Sequence, residues 1–212
     1  AGGFMGLINQ SREFAQQMSN LKAVLGDKAT DESIKELSDS AKKLGATTAF
    51  TATQVGELQV ELAKMGFDSD QILASSNAVL ALASASGTDL ANASAIAAGT
   101  LRGFNLTASD TMRVVDVMAK SFSSTSLDIS KFQESMKAVA PIASTVGVSI
   151  EQASASLAVL ANRGISGSLA GNQLKRIMSD LAQKTGKSYR ESLTLTAKRL
   201  SEATSSAEKL AI

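Results

Sequence analysis

Carboxylates are the side chains in this sequence with the most obvious capacity for catalysis, because the chain has neither histidine nor cysteine. Imidazole bases, thiolate nucleophiles and the usual zinc ligand sets are therefore missing, and no disulfide can form. Asp68 and Asp70 straddle a predicted helix start, and Asp110 and Asp116 lie on one predicted helix. Glycosidic hydrolysis needs two carboxyls facing across a cleft, one of them with a raised pKa. A simpler account exists for Asp68, Asp70 and Asp110: an acid near a helix N-terminus is favoured by the helix dipole. Asp116 has Arg113 and Lys120 at spacings of three and four, so it reads as part of a surface ion pair, with a buried polar contact as the alternative.

Two further stretches invite a chemical reading. Gly164-Ile165-Ser166-Gly167-Ser168-Leu169-Ala170-Gly171 is the most glycine-rich, and a glycine-rich turn leading into a helix can cradle phosphate. No strand is predicted before it and the Lys-Ser/Thr ending of a P-loop is missing, so it reads better as a tight interhelical turn. Ala170 and Gly171 would then allow two helices to cross closely. Lys175, Arg176, Lys184, Lys187 and Arg190 form a basic cluster whose only aromatic neighbour is Tyr189, too few for a base-stacking platform. A solvated helix face is the plainer account, and the formal net charge of +1 leaves no overall footprint for sequence-specific nucleic acid binding. No catalytic residue, cofactor or metal is assigned.

The elements that must carry these residues are helical. Apolar residues make up 44% of the chain, but only eight residues are aromatic and 34 are alanine, a composition suited to closely packed helices and poorly suited to an aromatic-lined pocket. Small polar residues followed three places later by an acid or amide recur at Thr51/Gln54, Asp68/Gln71, Thr107/Asp110, Ser149/Gln152 and Ser188/Glu191, as in helix capping boxes. Gly45, Gly66, Gly87, Gly103, Gly147, Gly164 and Gly186 stand where helices should stop in a left-handed residue.

Apolar spacing between these marks is helical throughout. It runs along Phe4, Leu7, Phe14, Met18, Leu21 and Leu25, then Ile34, Leu37, Ala41 and Leu44, then Val55, Leu58, Leu62 and Met65. Further helices are expected near 69–86, 89–102, 108–122 (Met112, Val115, Met118, Phe122), 129–146, 150–163, 168–185 (Ala170, Leu174, Ile177, Leu181) and from 189 onward (Leu193, Ala197, Leu200). Pro141 should bend or break the helix that holds it. The expected fold is all-α, with about ten helices. Helical hairpins pack into a compact bundle-like domain at 49–186, between amphipathic helices at 1–48 and a C-terminal helix at 187–212. The helix reaching Ile212 without a cap predicts a longer parent protein.

The middle carries a faint internal repeat of hairpins opening at Gly66-Phe67, Gly103-Phe104 and Gly147-Val148. Phe67, Phe104 and Val148 are expected to be buried anchors beside the helix-stopping glycines. Residues 66–174 hold 14 of the 41 charged side chains, which marks them as the compact part. Gln71 to Thr88 is uncharged but carries eight polar or glycine residues, too many for a predominantly apolar membrane span.

From about Ala49 to Ala182 the chain also resembles the core region of tailed-phage tape measure proteins. The matching pieces are Leu62-Ala63-Lys64-Met65-Gly66-Phe67, Ala81-Leu82-Ala83 with Gly87-Thr88-Asp89-Leu90, and Arg102-Gly103-Phe104-Asn105-Leu106. They continue with Val115-Asp116-Val117, Ala140-Pro141-Ile142-Ala143 with Val146-Gly147-Val148-Ser149, and Leu160-Ala161-Asn162-Arg163-Gly164-Ile165 with Ala170-Gly171. The resemblance implies a structural protein without enzymatic activity. It would scaffold the tail tube, set tail length and assist genome delivery, and would sit in the virion tail lumen after assembly in the host cytoplasm. Implied partners are tail tube and tail assembly proteins, tail chaperones, further copies of itself, and the host membrane at infection. Two other functions stay open from the residues alone: a peptidoglycan hydrolase using paired carboxylates, and a membrane-active module inserting 71–101 during DNA entry.

Overall fold

The structure is a computed structural model that describes residues 2–185 and 189–202. The described residues form ten α-helices and two short 3-10 turns, with no strand. They are α1 (Gly2–Leu25), α2 (Asp31–Thr47), α3 (Ala52–Lys64), α4 (Ser69–Ser86), α5 (Leu90–Gly103), α6 (Thr111–Ser124), α7 (Ile129–Thr145), α8 (Ile150–Asn162), α9 (Gly167–Thr185) and α10 (Tyr189–Glu202). Gly186, Ser188 and Lys187 lie outside the described residues, as do the side chains of Phe4, Leu7, Lys184, Arg190, Ala197 and Leu200.

Local chemistry accounts for most helix boundaries. Thr51, Asp68 and Ser149 each accept a hydrogen bond from the backbone N–H three residues on, while Gln54, Gln71 and Gln152 reach back to the cap N–H. Thr107 and Asp110 form the same box at the 3-10 turn before α6. Thr30 with Ser33 adds another box, and Asp89 and Asp128 cap α5 and α7 without one.

The helix ends share a motif. Gly66, Gly147 and Gly164 adopt φ of +91°, +71° and +81°. The next residue then donates its N–H back across the turn: Phe67 to Leu62 O at 3.2 Å, Val148 to Ala143 O at 2.8 Å and Ile165 to Leu160 O at 2.9 Å. This is the Schellman arrangement, which satisfies carbonyls at the helix end. At a fourth such joint the expected residue is wrong. Gly103 is still helical, and Asn105 takes the left-handed position at φ +55°, with Leu106 N–H donating to Leu101 O at 2.8 Å. Asn105-Leu106, not Gly103-Phe104, corresponds to Gly66-Phe67, because asparagine is among the few residues that tolerate this conformation.

Gly45 also departs from expectation. It lies inside α2, where a Cβ would fall 2.5 Å from Ala52 N, so it serves close approach and not a helix stop. Pro141 does not break α7, which runs unbroken from Ile129 to Thr145. The proline removes the N–H that Lys137 O would accept, but both residues are exposed, so water can take that carbonyl.

The chain divides into two compact units, one to Lys120 and one from Ser121. In the first, α3 is central and packs against α1, α2, α4 and α5. It buries Val55, Gly56, Leu58, Gln59, Val60, Leu62 and Ala63, nearly its whole circumference, as expected of a helix surrounded by others. Gly56 lets α1 approach: a Cβ there would lie 3.1 Å from both Gln17 Cβ and Met18 Cε. In the second unit α7 and α9 make the most extensive pairing, α8 packs on both, and α10 packs on α9. Phe122 and Phe132 meet edge-on at 5.6 Å between centroids, a favoured aromatic geometry.

Candidate functional site

The most tightly determined arrangement in the second unit is the crossing of α7 and α9. A Cβ at Gly171 would sit 2.6 Å from Ser135 O and 2.9 Å from Ser135 Cα, so α9 rests directly on the α7 backbone. Ala170 is fully buried beside it. Ser135 Oγ donates at 2.8 Å to Gly167 O and lies 2.9 Å from its own helix's Lys131 O. Ser168 Oγ donates to Glu134 Oε2 at 3.4 Å. The glycine-rich turn is thus held by two neighbouring α7 side chains, Glu134 and Ser135. A carboxylate beside this helix N-terminus would repel a phosphate, which counts against a phosphate cradle.

The remaining sequence-predicted positions sit apart from this crossing. Gly66, Gly87 and Gly147 adopt positive φ with open space around them, so conformation alone calls for glycine there. Phe104 and Val148 are buried, at 8% and 3% exposure, whereas Phe67 is only half-buried. Phe104 lies at the end of α5, two residues before the apolar residue of that joint, Leu106.

The four candidate carboxylates are not brought together as a catalytic pair. Asp68 accepts from Gln71 N at 2.9 Å and Asp70 lies exposed in the same first turn. Asp110 accepts from Thr107 N and Thr107 Oγ1, both at 3.1 Å, and Arg113 approaches it to 3.4 Å. The Thr107 N–H holds the Asp110 carboxyl below its ordinary pKa, the opposite of what a general acid needs. Asp116 is exposed on α6, and Arg113 reaches back to Asp110. Among the described residues no group of three acids is placed to hold a metal ion, and no helix is long and apolar enough to cross a membrane. Tyr189, the aromatic beside the basic cluster, is buried with its hydroxyl 3.3 Å from Ser156 Oγ, while Lys175 and Arg176 are exposed.

Ser135, Glu134, Gly56 and Asn105 were not legible as site residues. A glycine inside a helical pattern, as at Gly56, is the one signal that hints at close approach. Asp89 and Asp128 escaped the capping pattern because Asn92 and Lys131, not an acid or a glutamine, stand three residues on.

Helices joined by capped turns and seated on one another through glycine and alanine define an all-helical structural module. The chain belongs to the phage-related minor tail protein family, which it matches over residues 38–211. It is 38% identical over 178 residues to the tape measure protein of Pneumococcus phage Dp-1, covering 84% of this chain and 15% of that protein. It is 31% identical over 183 residues to the probable tape measure protein of Escherichia phage P2, covering 86% of this chain and 22% of that one. The chain therefore spans only a small part of the length of these relatives. No solved structure matches it.

Proposed function

We propose that this chain is a folded segment of a tape measure protein and that its role is mechanical. The 38% identity to a tape measure protein over 84% of the chain carries this reading. The parent protein would template polymerisation of tail tube subunits, set tail length, occupy the tail lumen and leave ahead of the genome. Its partners would be tail tube and tail assembly proteins, chaperones and other copies of itself. Residues 49–186 would form the core domain between flanking segments 1–48 and 187–212. Gly66, Gly87, Gly147, Gly164, Ala170 and Gly171 would act by shaping joints and crossings.

The test is made in the parent phage, with tails examined by electron microscopy. Gly171→Leu should impair tail assembly, because a bulky side chain meets Ser135 backbone. Asp116→Asn should leave tails and infection intact, since Asp116 is an exposed helix residue. An in-frame deletion of α4 and α5 should give shorter tails. Normal tails from Gly171→Leu together with a specific loss of cell-wall hydrolysis in Asp116→Asn would replace the structural reading with a catalytic one.

A further inference from the structure

The first unit contains a groove of about 540 Å³. One wall is a single face of α3, carrying Gln54, Glu57, Glu61 and Lys64 at helical spacing. That face extends about 15 Å at the rise of an α-helix. The rest of the lining comes from Gln17 and Asn20 of α1 and from Leu90 and Ala91 at the start of α5, with half-buried Phe50 adding apolar surface and Val60 buried at the base.

Charge on the two sides is not balanced internally. Lys64 is taken by Glu61 at 2.8 Å. Glu57 is exposed and has no cation in ion-pair range among the described residues, and Asp89 uses one oxygen on Asn92 N at 2.8 Å and likewise meets no cation. The groove therefore presents apolar surface flanked by two unpaired carboxylates.

We propose that this groove is a docking site for a basic amphipathic helix of a partner protein. Its Lys or Arg side chains would pair with Glu57 and Asp89, and its apolar side chains would lie on Phe50, Leu90 and Ala91. Length, apolar surface and charge all match an occupant of about three helical turns offering anchors at i, i+3 or i+4, and i+7. A rim of acids gives such an interface its choice of partner and its encounter rate. This names a partner chemistry for the assembly role and rests on that reading, but its test uses the purified 212-residue chain and does not depend on tails forming.

The experiment is a fluorescence anisotropy titration with three labelled peptides of equal length. One is a Leu/Lys peptide with helical amphipathic spacing, one is its scramble, and one carries Glu in place of Lys. The first should bind saturably, and the other two at least about tenfold more weakly. Glu57→Lys should weaken the first peptide by about tenfold or more, whereas Glu36→Lys, the same charge change on an exposed face of α2, should not. Asp89→Ser removes charge while keeping an α5 cap, so weakened binding there could not be blamed on a lost helix start. Equal binding by the scramble, equal loss in Glu36→Lys, or self-association of the free chain through this groove would each overturn the proposal.

Discussion

Gly171 on α9 lies against Ser135 on α7 so closely that a side chain of even one carbon would fall 2.6 Å from the Ser135 carbonyl oxygen. Gly171 has ordinary helical geometry, so alanine would gain roughly 1 kcal/mol in helix propensity. The obstacle is backbone, which cannot step aside as a flexible side chain can, and overpacking of this kind costs about 1–3 kcal/mol. We expect Gly171→Ala to lower stability in denaturant titration. Gly99→Ala is the control: nothing lies within 4 Å of its Cβ position on α5, and it should raise stability by about 0.5–1 kcal/mol. If Gly171→Ala stabilises as Gly99→Ala does, the helices do not cross this closely.

Asn105 tests the joints. Its φ of +55° is unfavourable for a residue with a Cβ. Asn105→Gly should keep or slightly raise the melting temperature, and Asn105→Ala should lower stability by about 1 kcal/mol. Equal stability of the three proteins would show that this turn is not left-handed.

Phe104 and Phe67 should behave differently. Phe104 is 8% exposed, and emptying such a site costs about 3–5 kcal/mol. Phe67 is half-buried, so Phe67→Ala should cost clearly less. A Phe104→Ala protein that unfolds at the wild-type temperature would place this side chain outside the core.

Acid should destabilise the chain through its caps. The Lys131 N–H donates to the Asp128 carboxylate and so lowers that carboxyl's pKa, and the Thr107 N–H does the same for Asp110. A folded-state pKa below the unfolded one contributes stability that is complete above the unfolded value, about 3.9. It is lost as pH falls through the lower folded value. Asp128→Asn keeps a capping oxygen without the charge. It should match the wild type less well at neutral pH than in acid below the lowered folded-state value, where the two curves of stability against pH converge. Parallel curves down to the lowest pH would mean that the Asp128 charge takes no part.

The helices and most of their boundaries could be read from the residues because caps and left-handed joints are local chemistry, decided within a few residues by backbone N–H groups that need an acceptor and by glycine's freedom at positive φ. Thr51, Asp68, Thr107 and Ser149 were legible for that reason. Which face each helix buries was decided by tertiary packing. Met112, Ile177 and Leu193 look like core positions by spacing, yet they are 45%, 42% and 40% exposed. Ser76 and Ser135, polar by type, are fully buried. The Ser76 hydroxyl donates to Ile72 O one turn back on its own helix and the Ser135 hydroxyl to Gly167 O across the crossing, so each enters the core as a small residue with no unsatisfied donor. Gly56 and Gly171 have the same origin: each needs glycine because a second helix, distant in sequence, lies within touching distance, and no local pattern encodes that neighbour; Gly45 instead meets Ala52, across the turn into α3.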